Sequence, residues 1–168
     1  MAEEKATKSA PEASAEDARN EDEQKLANAA SIVTRYATAS TAAGLIPMPV
    51  IDMTAIAALQ LKMLHSLSKL YDIPFSQDWA KSVLGSLTGS VASEGLGRFG
   101  LASALKLVPG VGHAMSLFAM PAVAFVATSA VGQIFTQHFA SGGTLLNLNL
   151  KVWRPIYEKK VRTEADKN

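Results

Sequence analysis

The stretch "GLGRFG" at 95–100 satisfies the glycine pattern of a dinucleotide-binding turn letter for letter. That chemistry also needs a preceding strand, a βαβ unit and an acidic residue about twenty positions further on. Here a helical pattern precedes the glycines and the region around Met120 is apolar, so no phosphate-binding turn is expected. His65, His113 and His138 share no ligand spacing, and no carboxylate stands near enough to any of them to suggest a metal box or a catalytic triad. Cysteine is absent, which removes thiol nucleophiles, disulfides and thiolate metal sites together. Asp52 reads as a first-turn carboxylate on a helix dipole, and Glu94 with Arg98 as an i,i+4 pair. No active site, cofactor or metal is expected from these residues, and enzyme is the least favoured class.

The remaining question is what the helices carry. A chain of 168 residues allows one domain of ordinary size, and 48% hydrophobic with 18% charged residues is rich for a soluble protein and lean for a polytopic membrane protein. The 16 basic and 15 acidic residues leave a net charge of +1, so no global basic field argues for nucleic acid. The first 24 residues are acidic and rich in Ala and Ser, without the apolar segment of a signal peptide. They are expected to form a disordered tail on the cytoplasmic side, because they offer almost no apolar surface to offset the entropy of ordering.

An all-α fold is expected from there: two proline-tipped helical hairpins, four main helices in all, over residues 25–146, followed by a basic C-terminal segment at 147–168. Leu26, Ala29, Ala30, Val33, Tyr36 and Ala37 recur at helical spacing and define a first helix from about Asp22 to Ala43. Pro47 and Pro49 then force a turn, since each lacks an amide hydrogen and disfavours helix in the residue before it. Pro49 suits the first position of a second helix, whose stripe is Ile56, Leu59, Met63, Leu67 and Leu70 and which "YDIP" at 71–74 stops. A third helix opens around Ser76. Pro109, Gly110 and Gly112 in "LVPGVG" make a second tip, and a fourth helix runs from about His113 to Ala140. Aligning the tips places Leu45, Pro47 and Met53 on Leu107, Pro109 and Met115 at a constant offset of 62, a weak internal repeat.

Membrane attachment is suggested by the pattern of charge. Leu107 to Leu150 contains no Asp, Glu, Lys or Arg, and the window 114–136 is about as long as a bilayer span requires. Fourteen of the 16 Lys and Arg lie up to Arg35, at 62–81, or from Lys151 onward, all at the bases of the hairpins. Gly85, Gly89, Ser93 and Gly97 recur every four residues on the third helix, a small-residue face that permits close approach of a fourth helix through Ala124, Thr128 and Gly132. Lys151, Trp153, Arg154, Tyr157, Lys159, Lys160 and Arg162 interleave charge with aromatic rings, as expected of a segment at the lipid headgroup level, irregular at first and helical past Pro155.

The stretches "AAGLIPMPVIDMTAIAALQLKML", "LVPGVGHAMS" and "AVAFVATSAVG" together resemble a GTPase-associated bacterial family of unknown function, the YcjF-type inner-membrane proteins, across residues 26–155. The first tip is also similar, more loosely, to the helical EcsC-like family. The first resemblance implies an α-helical, membrane-associated domain that accompanies Ras-like GTPases, with no established activity. This chain has no G-x-x-x-x-G-K-[ST] loop, so any GTPase must be a separate protein. The expected function is a non-catalytic module on the cytoplasmic face of the inner membrane, with lipid and a GTPase as partners. A soluble, cytoplasmic homo-oligomeric scaffold with buried hairpins is the alternative, and a pore lined by Thr128, Ser129, Gln133 and Thr136 is a thin third.

Overall fold

The computed structural model describes residues 9–43, 49–89 and 112–165, with the side chains of 15–43, 54–89 and 121–163. Leu45, Pro47, Ser93, Glu94, Gly97, Arg98, Pro109, Gly110 and the "GLGRFG" stretch lie outside the described residues. The fold is all-α: α1 spans Ser9–Ala43, α2 Pro49–Leu70, α3 the helical residues 77–89, α4 Gly112–Ala140 and α5 Leu150–Ala165. A single 3₁₀ turn at Leu145–Asn147 joins the last two. Pro49 opens α2 and Gly112 opens α4, as the two tips required.

The first helix begins at Ser9 and not near Asp22. Its early turns combine alanine with acidic residues, which favour helix and suit the positive end of the dipole, so local propensity holds a helix that composition alone read as a tail. That extension still buries nothing, for residues 15–28 are exposed and Ala29 is the first to enter the core. From there Ala29, Val33, Ala37, Ser40 and Ala43 follow one face into the protein.

Pairings across the helices fix their directions. Tyr36 Oη lies 3.2 Å from Ser66 Oγ, while Ser40 and Gln60 meet at Thr128, so α1 and α2 run antiparallel as a hairpin demands. Gly132 lies against Val33 of α1 and Met63 of α2, four residues from the Thr128 meeting point. Thus α4 is antiparallel to α1 and parallel to α2. It also packs on α5, which makes it the central helix of the bundle. Ala124, Ala130, Val131, Ile134, Phe135 and Phe139 are all buried, which accounts for the apolar character of the described part of α4. Among the described residues no helix is long and apolar enough to cross a membrane; the window 114–136 lies only partly within the residues whose side chains are described.

The end of α2 is closed by a left-handed residue. Asp72 takes φ +54°, Ile73 N donates to Ser68 O at 2.8 Å, and Ile73 then packs against the core before Pro74 prevents further helix. The following helix starts at Ser76, whose carbonyl accepts from Ala80 N at 2.9 Å, and buries Ala80, Val83, Leu84 and Leu87 at helical spacing. This rotates Gly85 and Gly89 away from the core. A Cβ at either position meets nothing within 4 Å among the described residues, so the proposed tight face of α3 packs no described helix there. The close approach occurs instead at Gly132, where a Cβ would stand 2.5 and 2.6 Å from the Val33 methyls and 3.1 Å from Met63 Sδ.

Four residues away, a buried polar node ties the same three helices. Ser40 Oγ reaches Thr128 Oγ1 at 2.9 Å and the Ala37 carbonyl at 2.9 Å, and Gln60 Nε2 donates to Thr128 Oγ1 at 3.3 Å. All three side chains are buried, so loss of the Thr128 hydroxyl would leave the Gln60 amide desolvated and unsatisfied.

Two outcomes are expected in thermal or denaturant unfolding. Gly132→Ala should destabilise by roughly 1–3 kcal/mol through overpacking, with rescue by Val33→Ala, whereas Gly85→Ala should stabilise by about 0.5–1 kcal/mol. Thr128→Val should cost about 1–3 kcal/mol through the unpaired Gln60 amide, since Ser40 keeps the Ala37 carbonyl; an unchanged midpoint would show that the node adds nothing to stability.

Candidate functional site

The α4–α5 connection sets the position of the basic helix. Gly142 takes φ +78°, with its amide donating to Phe139 O and that of Gly143 to His138 O, at 2.9 and 2.8 Å. This left-handed closure ends α4 and reverses the chain. Gly143 is needed for a second reason: the His138 ring occupies the space a Cβ would take. His138 Nε2 lies 3.0 Å from Thr144 O and 2.9 Å from Asn147 Oδ1, both acceptors, which identifies Nε2 as the protonated nitrogen. Asn147 Oδ1 also accepts from Thr144 N at 2.7 Å. Asn149 then caps α5, its Oδ1 accepting from Lys151 N at 3.1 Å and its carbonyl from Val152 N at 3.0 Å. With that cap the helix starts at Leu150 and continues through Pro155, earlier than the sequence indicated. Asn149 in "LNLNL" was the signal, since Asn is among the favoured N-cap residues.

Once placed, α5 divides the predicted interfacial residues. Tyr157 is only 2% exposed and belongs to the core with Val161, and Trp153 is half-buried against it. Neither ring is free to form an aromatic belt. Lys151, Arg154, Lys159, Lys160 and Arg162 are exposed, but on two flanks. Arg154 reaches α3 and donates to Ser86 O at 2.9 Å. On the other flank Lys159 and Lys160 edge a groove between α1, α4 and α5, where Lys160 Nζ donates to Gln133 Oε1.

This groove is the candidate site. It has a volume of about 1000 Å³ and an apolar lining that includes Leu26 and Val33 from α1, Phe125 and Ala130 from α4, and Ile156 from α5. Leu26 is 46% exposed, and Phe125 and Ile156 are each 39% exposed, large apolar side chains collected in one depression. Two lysines line it and no carboxylate does. Thr136 also lines it, with its Oγ1 buried and without a hydrogen-bond partner among the described residues. The sequence hinted at this surface, because Leu26 and Ala30 share the first helix's apolar pattern, yet they face the groove and not the core.

The arrangement suits binding of an amphiphile or an apolar surface. No group of three or more His, Asp or Glu that could hold a metal occurs among the described residues. Asp52 lies in the first turn of α2, as expected of a helix-dipole carboxylate. Tyr157 is pushed far above the usual phenol range by burial, and Tyr71 is raised by burial and then by the negative charge of Asp22.

Comparison with known proteins places this helical bundle in a class. Residues 9–152 match the family described as a domain of unknown function, DUF697, and the chain belongs to that family. It is the family whose resemblance was carried by the two tips and the small-residue helix. Among individual proteins, magnetosome membrane protein 22 of Magnetospirillum gryphiswaldense is 36% identical over 132 residues, covering 79% of this chain and 68% of that protein. No solved structure matches the chain.

The raised tyrosines have a consequence for stability. A phenol whose folded-state pKa exceeds its unfolded value of about 10 contributes fully below that pH and loses its contribution as pH rises through the folded value. The difference in unfolding free energy between wild type and Tyr157→Phe should therefore be constant to about pH 10 and then shift against wild type by up to about 1.4 kcal/mol per pH unit. A difference that stays flat from pH 8 to pH 11.5 would mean Tyr157 ionises as readily folded as unfolded.

Proposed function

We propose that this chain is a non-catalytic, membrane-associated helical module that works on the cytoplasmic face of the bacterial inner membrane and there anchors or regulates a separate Ras-like GTPase. The observation that carries the membrane reading is the groove on the α1–α4–α5 face, where Leu26, Phe125 and Ile156 stand exposed beside Lys159 and Lys160. Apolar side chains can enter the acyl boundary while lysines face anionic headgroups, a combination that binds surfaces without spanning them. The similarity to a protein named for the magnetosome membrane supports the same reading. Val152, 54% exposed and one turn from Ile156, extends the apolar strip along α5.

The GTPase rests on the family resemblance and on the absence of a P-loop from this sequence. Co-purification of this chain with a Ras-like GTPase from the same cell, together with altered nucleotide exchange, is its test.

For the membrane, co-sedimentation with vesicles decides. The full chain should pellet with anionic vesicles and much less with neutral ones. Changing Lys159, Lys160 and Arg162 to glutamine should weaken the anionic binding at least tenfold, since each basic residue near such a surface contributes about 1 kcal/mol. Rising salt should remove the difference, the screening length falling to about 10 Å at 0.1 M. If the chain stays in the supernatant with both vesicle types and sediments as a discrete oligomer, the exposed apolar strip joins copies of the chain and the membrane reading fails.

A further inference from the structure

Resting on the membrane reading, we propose that the α1–α4–α5 groove is a binding site for one anionic lipid, holding an acyl chain along its floor and the phosphate at Lys159 and Lys160. A membrane-surface contact needs only a convex apolar strip, but this face carries a depression of about 1000 Å³ that is broadly open to solvent, room enough for an acyl chain. Its chemistry is arranged in two parts. Ala30, Val33, Phe125, Val126 and Ile156 give an apolar lining, and at the α5 edge stand two lysines with no carboxylate among the lining residues to neutralise them. An anionic headgroup complements that edge, and an acyl chain complements the apolar lining.

A polar group within the groove strengthens the assignment, for Gln133 Oε1 already holds Lys160 Nζ on the groove side of α5. Thr136 Oγ1 has no accessible surface and lies behind the lining, whereas Gln133 orients the cation that would meet the phosphate. A second protein helix laid in the same depression would leave both lysines without a counter-charge unless it carried carboxylates.

The probe is oleoyl lysophosphatidic acid kept below its critical micelle concentration, titrated calorimetrically into the full chain, with oleoyl lysophosphatidylcholine as the zwitterionic control. One molecule should bind per chain, at least tenfold more tightly than the control. Ala30 is exposed at the groove wall, so Ala30→Trp fills the groove without entering the core and should weaken binding at least tenfold, with the thermal midpoint and helical content unchanged. Lys160→Gln should erase the preference for the anionic probe and leave weak binding of both.

Vesicle sedimentation of the same samples separates this proposal from the reading it rests on. Vesicle binding without saturable one-to-one binding of the monomeric probe overturns the groove site and leaves the membrane reading intact. Failure of both overturns both. Binding of the probe that Ala30→Trp does not touch places the lipid elsewhere, and loss of a homo-oligomer in Ala30→Trp makes the groove an interface between copies; either result overturns the assignment.

Discussion

The close approach of three helices at Gly132 is the constraint on which the rest of the structure depends. With no side chain at that position, α4 settles onto Val33 of α1 and Met63 of α2 at a separation that even a methyl group would prevent. Four residues along, the same three helices meet again through Ser40, Gln60 and Thr128. One contact sets distance by excluding atoms and the other sets rotation and register by hydrogen bonds, because a polar group in the core tolerates few alternative partners. A slip of one residue along α4 would put a side chain against Val33 and leave Gln60 without its acceptor.

With α4 held there, its other side is covered by α5, and the rings of Phe135 and Phe139 pack edge to face at 5.6 Å in the core between them. The turn at Gly142 and Gly143 returns the chain onto α4, and the cap at Asn149 begins α5 early enough for Tyr157 and Val161 to enter the core. The groove is a by-product of this placement. The first helix reaches well beyond the part of it that packs on α2, so Leu26 and Ala30 find α5 across a gap and no helix between. Its lysines are positioned by the same turn, because Tyr157 facing inward places Lys159 and Lys160 on the side of α5 toward α1.

In the described part of the bundle the surface is what distinguishes one face from another. Among its buried polar residues Ser40, Gln60 and Thr128 are engaged with one another between helices, and the basic residues of α5 and the described charged residues of the early part of α1 are exposed. Membership of a family of unknown function, with a relative named for a membrane, directs attention to surfaces that meet lipid. The groove is the described surface that gathers exposed apolar side chains beside Lys159 and Lys160.

The sequence by itself determined the helices and their stops. Proline and left-handed residues act within a few positions, so Pro49, the "YDIP" stop and the paired glycines after Ala140 could be read locally and are found at helix ends. The family was legible for the same reason, since its motifs are turns and short helical stretches. What each helix faces was not legible. A small-residue repeat on α3 and a lone glycine on α4 look alike in sequence, yet Gly85 and Gly89 meet nothing among the described residues while Gly132 is the tightest contact among these three glycines. Tyr157 likewise matched an interfacial aromatic and proved to be core, and the described part of α4 packs against α1, α2 and α5. An apolar helix surface can be satisfied by lipid, by a second copy or by its own neighbours. Tertiary structure chose the last for α4 and left the α1–α4–α5 groove open, because rotation about each helix axis is decided by long-range packing that no local pattern encodes.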